Sequence, residues 1–171
     1  HGIRARKEYG GVSFYQEKEV KGKQEGFCIP LPIPGEATGP GMRLRCKIME
    51  NNFVIARDSI SPNDNNNFLQ LLQKTYTKWF DYDKIKGTVE IRTRRPGDYL
   101  VVDASGGRKK LKDYFIDCKV PRQDRDRMIL AAQGQEILWV VGLRISEAYK
   151  VRPDTKQVLE MVYEGGYGYG E

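Results

Sequence analysis

Five apolar residues in succession, Ile137-Leu138-Trp139-Val140-Val141, stand between Gly134 and Gly142. A run this short has strand length. With no polar residue alternating through it, it reads as a strand buried on both faces. The neighbouring segments assemble around it. Ile129 to Ala131 is a strand joined to it by a turn at Gly134. Thr88 to Thr93 alternates Val89 and Ile91 with Glu90 and Arg92, a further strand. Pro96-Gly97-Asp98 forces a turn, because proline presets φ and glycine permits positive φ, and Tyr99 to Val102 follows as a strand. Gly106-Gly107 breaks the chain. Leu111, Tyr114, Phe115 and Cys118 then fall at i, i+3, i+4 and i+7, one apolar stripe on an amphipathic helix. Pro121 suits the first position of a second short helix ending at Arg127, and Gln157 to Tyr163 alternates as a last strand.

The first half is looser. Gly10-Gly11 closes a turn before a short strand carrying Val12 and Phe14. Phe27 to Leu31 is another, ended by the alternating Pro30, Pro32 and Pro34, which exclude helix and suit an edge. Gly35 to Gly41 reads as a loop. Met42, Leu44, Cys46 and Ile48 alternate with Arg43, Arg45, Lys47 and Met49, a half-buried strand with a basic outer face. Phe53 to Ala56 pairs back on it. Ser61 to Asn67 is an Asn-rich, mobile connection, and Phe68 to Leu72 is either a helical turn or a strand. Tyr76 to Phe80 is a strand, and Asp81 to Lys86 a short turn of helix. The periodicity resets at Gly87. The expected organisation is therefore α+β: a small β-rich middle domain over 1–86, a compact mixed domain over 87–163 with helices on one side of a sheet, and a disordered tail over 164–171.

Charge narrows the partner. Lys and Arg number 29 against 23 acids, a net charge of +6. From Arg92 to Arg127 alone there are 11 basic residues against 6 acidic ones, so much of the excess sits there. Such a stretch fits a polyanion. Duplex RNA is gripped mostly through phosphates and 2′-hydroxyls, by cations spread over a rigid surface. Arg94 and Arg95 sit beside the Pro-Gly turn. Arg108, Lys109 and Lys110 lie at or before a helix start, where backbone N–H groups favour phosphate. Lys112 and Lys119, seven apart, share one side of that helix, and Arg122 and Arg125 lie three apart on the next. Arg144 and Lys150, near Tyr149 and Arg152, form a smaller basic group. Asp113, Asp117, Asp124 and Asp126 interleave with these cations and suit ordinary helical ion pairs. Asp98 reads as a turn residue bonding backbone. Arg127 reads as an ion-pair partner for Asp98 or Asp126. Trp139 reads as core, while Trp79, between Lys78 and Phe80, is left open between core and base stacking.

Other chemistries find little support. The one histidine is His1, which removes Ser-His-Asp and Cys-His triads and nearly all histidine metal sites. Cys28, Cys46 and Cys118 are odd in number and far apart, and read as small buried thiols in a reducing cytosol. No stretch is long and apolar enough to span a membrane, and no signal peptide opens the chain. No catalytic or metal-ligating residue is expected.

The order of motifs carries a resemblance. Arg92-Thr-Arg-Arg-Pro-Gly-Asp98, Lys109-Lys-Leu-Lys-Asp-Tyr-Phe-Ile-Asp117, Val120-Pro-Arg122, Asp126-Arg127, Ile137-Leu-Trp-Val140 and Gly142-Leu-Arg-Ile145 occur in succession. Together they resemble the C-terminal domain of the bacterial tRNA(Ile)-lysidine synthetase family over about 87–162. Phe80-Asp-Tyr-Asp-Lys84 resembles the join to that family's middle domain, and residues 1–60 match loosely. The resemblance implies a parent enzyme that activates the wobble cytidine of an isoleucine tRNA with ATP and couples lysine to it. It further implies a C-terminal region that recognises the tRNA body and acceptor stem, in the cytoplasm. ATP and magnesium are implied for a catalytic domain carrying a Ser-Gly-Gly-x-Asp-Ser phosphate loop. Here Ser105-Gly106-Gly107 is followed by Arg108-Lys109-Lys110, so no cofactor is expected in this portion, and the portion alone should be inactive. Two rivals stand beside this reading. One is a metal-dependent nucleic-acid enzyme using Asp98, Asp103, Asp113 or Asp117. The other is a protein-docking module, for which a homodimer is one form.

Overall fold

The computed structural model describes residues 3–8, 11–16, 26–51 and 75–165, with side chains over 26–51 and 76–165. The expected elements at Phe53–Ala56, Ser61–Asn67, Phe68–Leu72 and the end of the tail from 166 lie outside the described residues.

Among the described residues the strands fall into three sheets. The first is a hairpin of β1 (Ile3–Glu8) and β2 (Gly11–Gln16). The second has six strands. From one edge to the other they are β3 (Cys28–Leu31), β7 (Val89–Arg92), β10 (Leu130–Gln133), β11 (Glu136–Val140), β8 (Tyr99–Val101) and β9 (Arg108–Lys110). The third orders β4 (Gly35–Gly39), β5 (Met42–Glu50), β12 (Gln157–Gly165) and β6 (Thr75–Asp81). All pairings are antiparallel except β8 with β11. Among the described residues there is one α-helix, α1 (Leu111–Asp117). Short 3-10 turns cover Tyr82–Lys84 and Glu147–Tyr149.

The run at 137–141 explains the layering. Ile137, Leu138, Trp139 and Val140 are all fully buried. The β10–β11 register shifts between Ala131 and Ala132, so that Ala131 pairs Trp139 and Ala132 pairs Ile137, leaving Leu138 as the extra residue of a bulge. Ile137 and Val140 join a core with Leu111, Tyr114 and Phe115 of α1. Leu138 and Trp139 join a second core with Leu44 of β5, Phe80 of β6 and Leu159 and Met161 of β12. Phe80 and Trp139 meet across it as a tilted pair, with ring centroids 5.9 Å apart. The six-stranded sheet is thus the middle layer, with the four-stranded sheet on one side and α1 on the other.

Several expectations are corrected. Residues 35–39 form β4, because backbone pairing of Gly35 to Gly39 with Cys46 to Met42 holds a glycine-rich stretch extended, with Ala37 supplying a buried side chain. Residues 121–127 form successive turns rather than a helix. Asp124 N bonds Pro121 O and Arg127 N bonds Asp124 O, both spanning three residues, and no apolar stripe is present to bury a helix face. Strand pairing also runs across Gly87. β3 crosses it to pair with β7, and β12 returns to pair with β5 and β6, so the core against the four-stranded sheet draws residues from both sides. β12 also runs past 163 to Gly165. Of the cysteines, Cys46 is buried and Cys118 half-buried, but Cys28 is exposed. No helix of the described residues is long and apolar enough to cross a membrane.

Candidate functional site

The site is built on one buried ion pair. Arg92, at the end of β7, is fully buried, as is its partner Asp98. The guanidinium grips both carboxylate oxygens: Nη1 donates to Oδ2 at 2.9 Å and Nη2 to Oδ1 at 2.8 Å. Arg92 also donates to the carbonyls of Thr93 (3.0 Å) and Gly134 (2.6 Å). Asp98 Oδ2 accepts from the backbone N–H of Arg95 at 2.7 Å, which closes the turn. Gly97 sits in this turn at φ 89°, where a side chain would strain the backbone, and a Cβ there would meet Gln135 Nε2 at 2.5 Å. The Asp98 carbonyl accepts from Leu111 N at 2.9 Å, tying the turn to the start of α1. Asp98 therefore holds backbone, as its place in the turn suggests. Its cationic partner is Arg92 and not Arg127.

Around this anchor lies a cleft of about 480 Å³ lined by Arg94, Arg95, Pro96, Gly97, Asp98, Lys110, Leu111, Lys112 and Asp126. It brings together four of the cations singled out in the sequence. Arg94 Nε and Nη2 both lie 2.7 Å from Asp126 Oδ1, and Arg95 Nη1 lies 3.3 Å from Glu90 Oε2. Lys110 and Lys112 are exposed, with no ion-pair partner among the described residues. Lys110 ends β9, whose alternation turns Arg108 and Lys110 outward and Lys109 partly inward.

The remaining candidates lie apart from this cleft or are engaged in the fold. Arg108 lies over the Tyr99 ring, 4.7 Å from its centroid. Lys109 pairs with Asp117. Lys119 follows the end of α1 at φ 55°, so it does not share a helix side with Lys112. Arg125 Nε donates to Val120 O at 2.9 Å, and Arg122 is exposed on the same turns, so these two do not share a helix face either. Arg144 Nη2 donates to Val102 O at 2.9 Å and lies 3.9 Å from Glu147, which Lys150 meets at 3.0 Å. Trp139 is core, and Trp79 is half-buried with Nε1 donating to Glu160 Oε2 at 3.0 Å. The residue that sequence reasoning passed over is Arg92, counted as one cation among eleven. Its position on the alternating β7, two residues after Ile91's neighbour Glu90, carried no sign of burial.

The Ser105–Gly107 loop closes on its own Asp103. Asp103 Oδ1 accepts from Ser105 Oγ at 2.5 Å and from Gly107 N at 2.9 Å. The Ser105 hydroxyl, and then the Gly107 N–H, hold the Asp103 carboxyl below its usual range. A Cβ on Gly107 would collide with the Asp103 carboxylate. The donors that a bound anion would use already serve a carboxylate.

Fold and cleft together define a sheet-rich α+β domain with a cationic cleft set on a buried ion pair. Residues 89–161 match the family model of the TilS substrate C-terminal domain, and this segment belongs to that family. The chain is 39% identical over 161 residues to a tRNA(Ile)-lysidine synthase of Caldanaerobacter subterraneus subsp. tengcongensis, covering 94% of this chain and 31% of the relative. It is 47% identical over 90 residues to the tRNA(Ile)-lysidine synthase of Clostridium tetani, covering 53% of this chain and 19% of that relative. The chain thus spans less than a third of the length of either. The crystal structure of a TilS C-terminal domain superposes with a TM-score of 0.59 at 26% identity, over 82% of this chain and 98% of that one.

Proposed function

We propose that this chain is the tRNA-binding C-terminal portion of a tRNA(Ile)-lysidine synthase. The parent enzyme would use ATP and magnesium, in a catalytic portion elsewhere, to join lysine to the wobble cytidine of an isoleucine tRNA in the cytoplasm. The portion described here grips the body and acceptor stem and supplies no catalytic group, so alone it binds tRNA without modifying it. The similarity to tRNA(Ile)-lysidine synthases supports the reading. The observation that carries it is the cleft, where Arg94, Arg95, Lys110 and Lys112 converge on a turn stiffened by Arg92 and Asp98. Rigid, clustered cations are what a phosphate backbone recognises.

The stand-alone enzyme reading loses three of its four acids to other work. Asp98 is buried against Arg92, Asp103 closes its own loop, and Asp117 pairs with Lys109. The test is a filter-binding titration of the 171-residue chain with an isoleucine tRNA transcript at increasing salt. Affinity is expected to fall steeply with salt. Replacing Lys110 and Lys112 together by Ala should weaken binding and lower the logarithmic salt slope by about 1 per lysine. A flat salt response, or full binding by the double variant, overturns the proposal.

A further inference from the structure

Asp126 stands out in the cleft. Besides Asp98, which is buried against Arg92, it is the acid lining a concave surface that carries four cations, and its side chain is 69% exposed. Its Oδ1 accepts from two nitrogens of Arg94 at once, both at 2.7 Å. Glu90 repeats the arrangement on the neighbouring arginine: its Oε2 lies 3.3 Å from Arg95 Nη1 and 3.6 Å from Arg92 Nε. The two acids come from different elements, the turns at 121–127 and strand β7, yet each meets one of two consecutive arginines. A carboxylate offers a guanidinium the same charged oxygens that a phosphate does. Arg94 and Arg95 therefore already hold an anion each, whereas Lys110 and Lys112 hold none among the described residues.

We propose that Asp126 in this cleft, and Glu90 paired to its Arg95, are specificity-determining residues, built-in anionic competitors that a phosphate chain must displace before Arg94 and Arg95 engage it. This rests on the RNA-binding reading above. Exposed ion pairs are weakly held, so displacement is open to a ligand that also gains elsewhere. An RNA whose backbone meets Lys110 and Lys112 and continues across the turn makes enough contacts to push both carboxylates aside. An RNA of the wrong shape reaches the lysines, meets the repulsion of Asp126 and Glu90, and gains nothing from the arginines. The acids thus weaken ill-fitting ligands more than fitting ones.

The experiment compares the wild-type 171-residue chain with Asp126→Asn, Glu90→Gln and the Lys110→Ala/Lys112→Ala double variant. Each is titrated with an isoleucine tRNA transcript and with an unrelated RNA hairpin. Asp126→Asn is the primary variant, because its side chain is exposed and pairs with the half-buried Arg94, whereas Glu90 also neighbours the buried Arg92. At low salt it should tighten hairpin binding by about two- to fivefold and tRNA binding by less, the gain shrinking as salt rises. Glu90→Gln should act in the same direction. Unchanged or weaker hairpin binding by Asp126→Asn overturns the inference. An equal gain for both RNAs overturns it too, since the acids would then set strength and not choice. If the lysine double variant loses tRNA while Asp126→Asn behaves as wild type, the inference fails and the RNA-binding reading stands. If the lysine double variant binds as wild type, both fail.

Discussion

Arg92 is the residue on which the cleft depends most. A guanidinium with no exposed surface is costly to desolvate, and acceptors on both terminal nitrogens offset that cost, while Nε has no hydrogen-bond acceptor and lies 3.6 Å from Glu90 Oε2. Here Asp98 takes two of its hydrogen bonds and the carbonyls of Thr93 and Gly134 take two more. The pair reaches across six residues of chain and so locks the Arg94–Gly97 turn against the sheet. Asp98→Ala removes the anion and leaves a buried, uncompensated charge. It should lower stability by about 3–5 kcal/mol, measured as a shift in the urea midpoint by circular dichroism. The same variant should weaken tRNA binding even at temperatures where it is folded, because Arg94 and Arg95 lose their fixed support. A loss of stability below about 1 kcal/mol, the range of an exposed pair, would show that the ion pair does not anchor the turn.

At the scale of elements, β12 joins the two halves of the chain. It pairs over nine positions with β5 and seven with β6, and Tyr163 faces Tyr76 across the β12–β6 ladder with ring centroids 5.9 Å apart. Burial first, and the Tyr76 charge second, push the Tyr163 hydroxyl up from 10.0 to about 12. In the unfolded chain it ionises near its ordinary value, while in the folded chain it keeps its proton longer. The stability this contributes is therefore fully present below about pH 10 and is lost as the pH rises towards about 12. Tyr163→Phe should flatten the fall in urea midpoint across that window, and an unchanged slope would show that Tyr163 does not report on the β12–β6 pairing. Elements with a strong local signal were readable from sequence. The alternation at 42–49 is β5, the stripe from Leu111 to Phe115 is α1, and the apolar run is β11. Elements made by partners were not. β4 has no periodicity of its own and exists through its ladder with β5. Residues 121–127 have a proline start but no apolar face to keep them helical. In the site, Arg94, Arg95, Lys110 and Lys112 were legible as cations, but their convergence depends on the Arg92–Asp98 bond and the Leu111–Asp98 tie, which no local pattern reveals.

At the scale of the whole molecule, the strand order decides what folds as a unit. A break in composition at Gly87 suggests two domains, yet β3 is the edge partner of β7, and β12 sits between β5 and β6. Residues 87–165 taken alone would keep α1 and five strands of the middle sheet. They would also leave Leu138 and Trp139 facing water where Leu44 and Phe80 now cover them, and would strand β12 without either of its neighbours. Several large apolar side chains would be exposed, each worth about 1.5–3 kcal/mol of burial. The sum is of the order of the margin of about 5–15 kcal/mol by which domains of ordinary size stay folded. A chain cut to 87–165 is therefore expected to aggregate or to show the collapsed amide dispersion of an unfolded chain in a proton–nitrogen correlation spectrum. The 171-residue chain should show a dispersed one. Adding back residues 26–51 and 75–86 on a separate polypeptide should restore dispersion, since those residues hold β3 to β6. A well-dispersed spectrum from 87–165 alone would mean that the middle sheet and α1 suffice, and that the four-stranded sheet is an accessory to a core that closes without it.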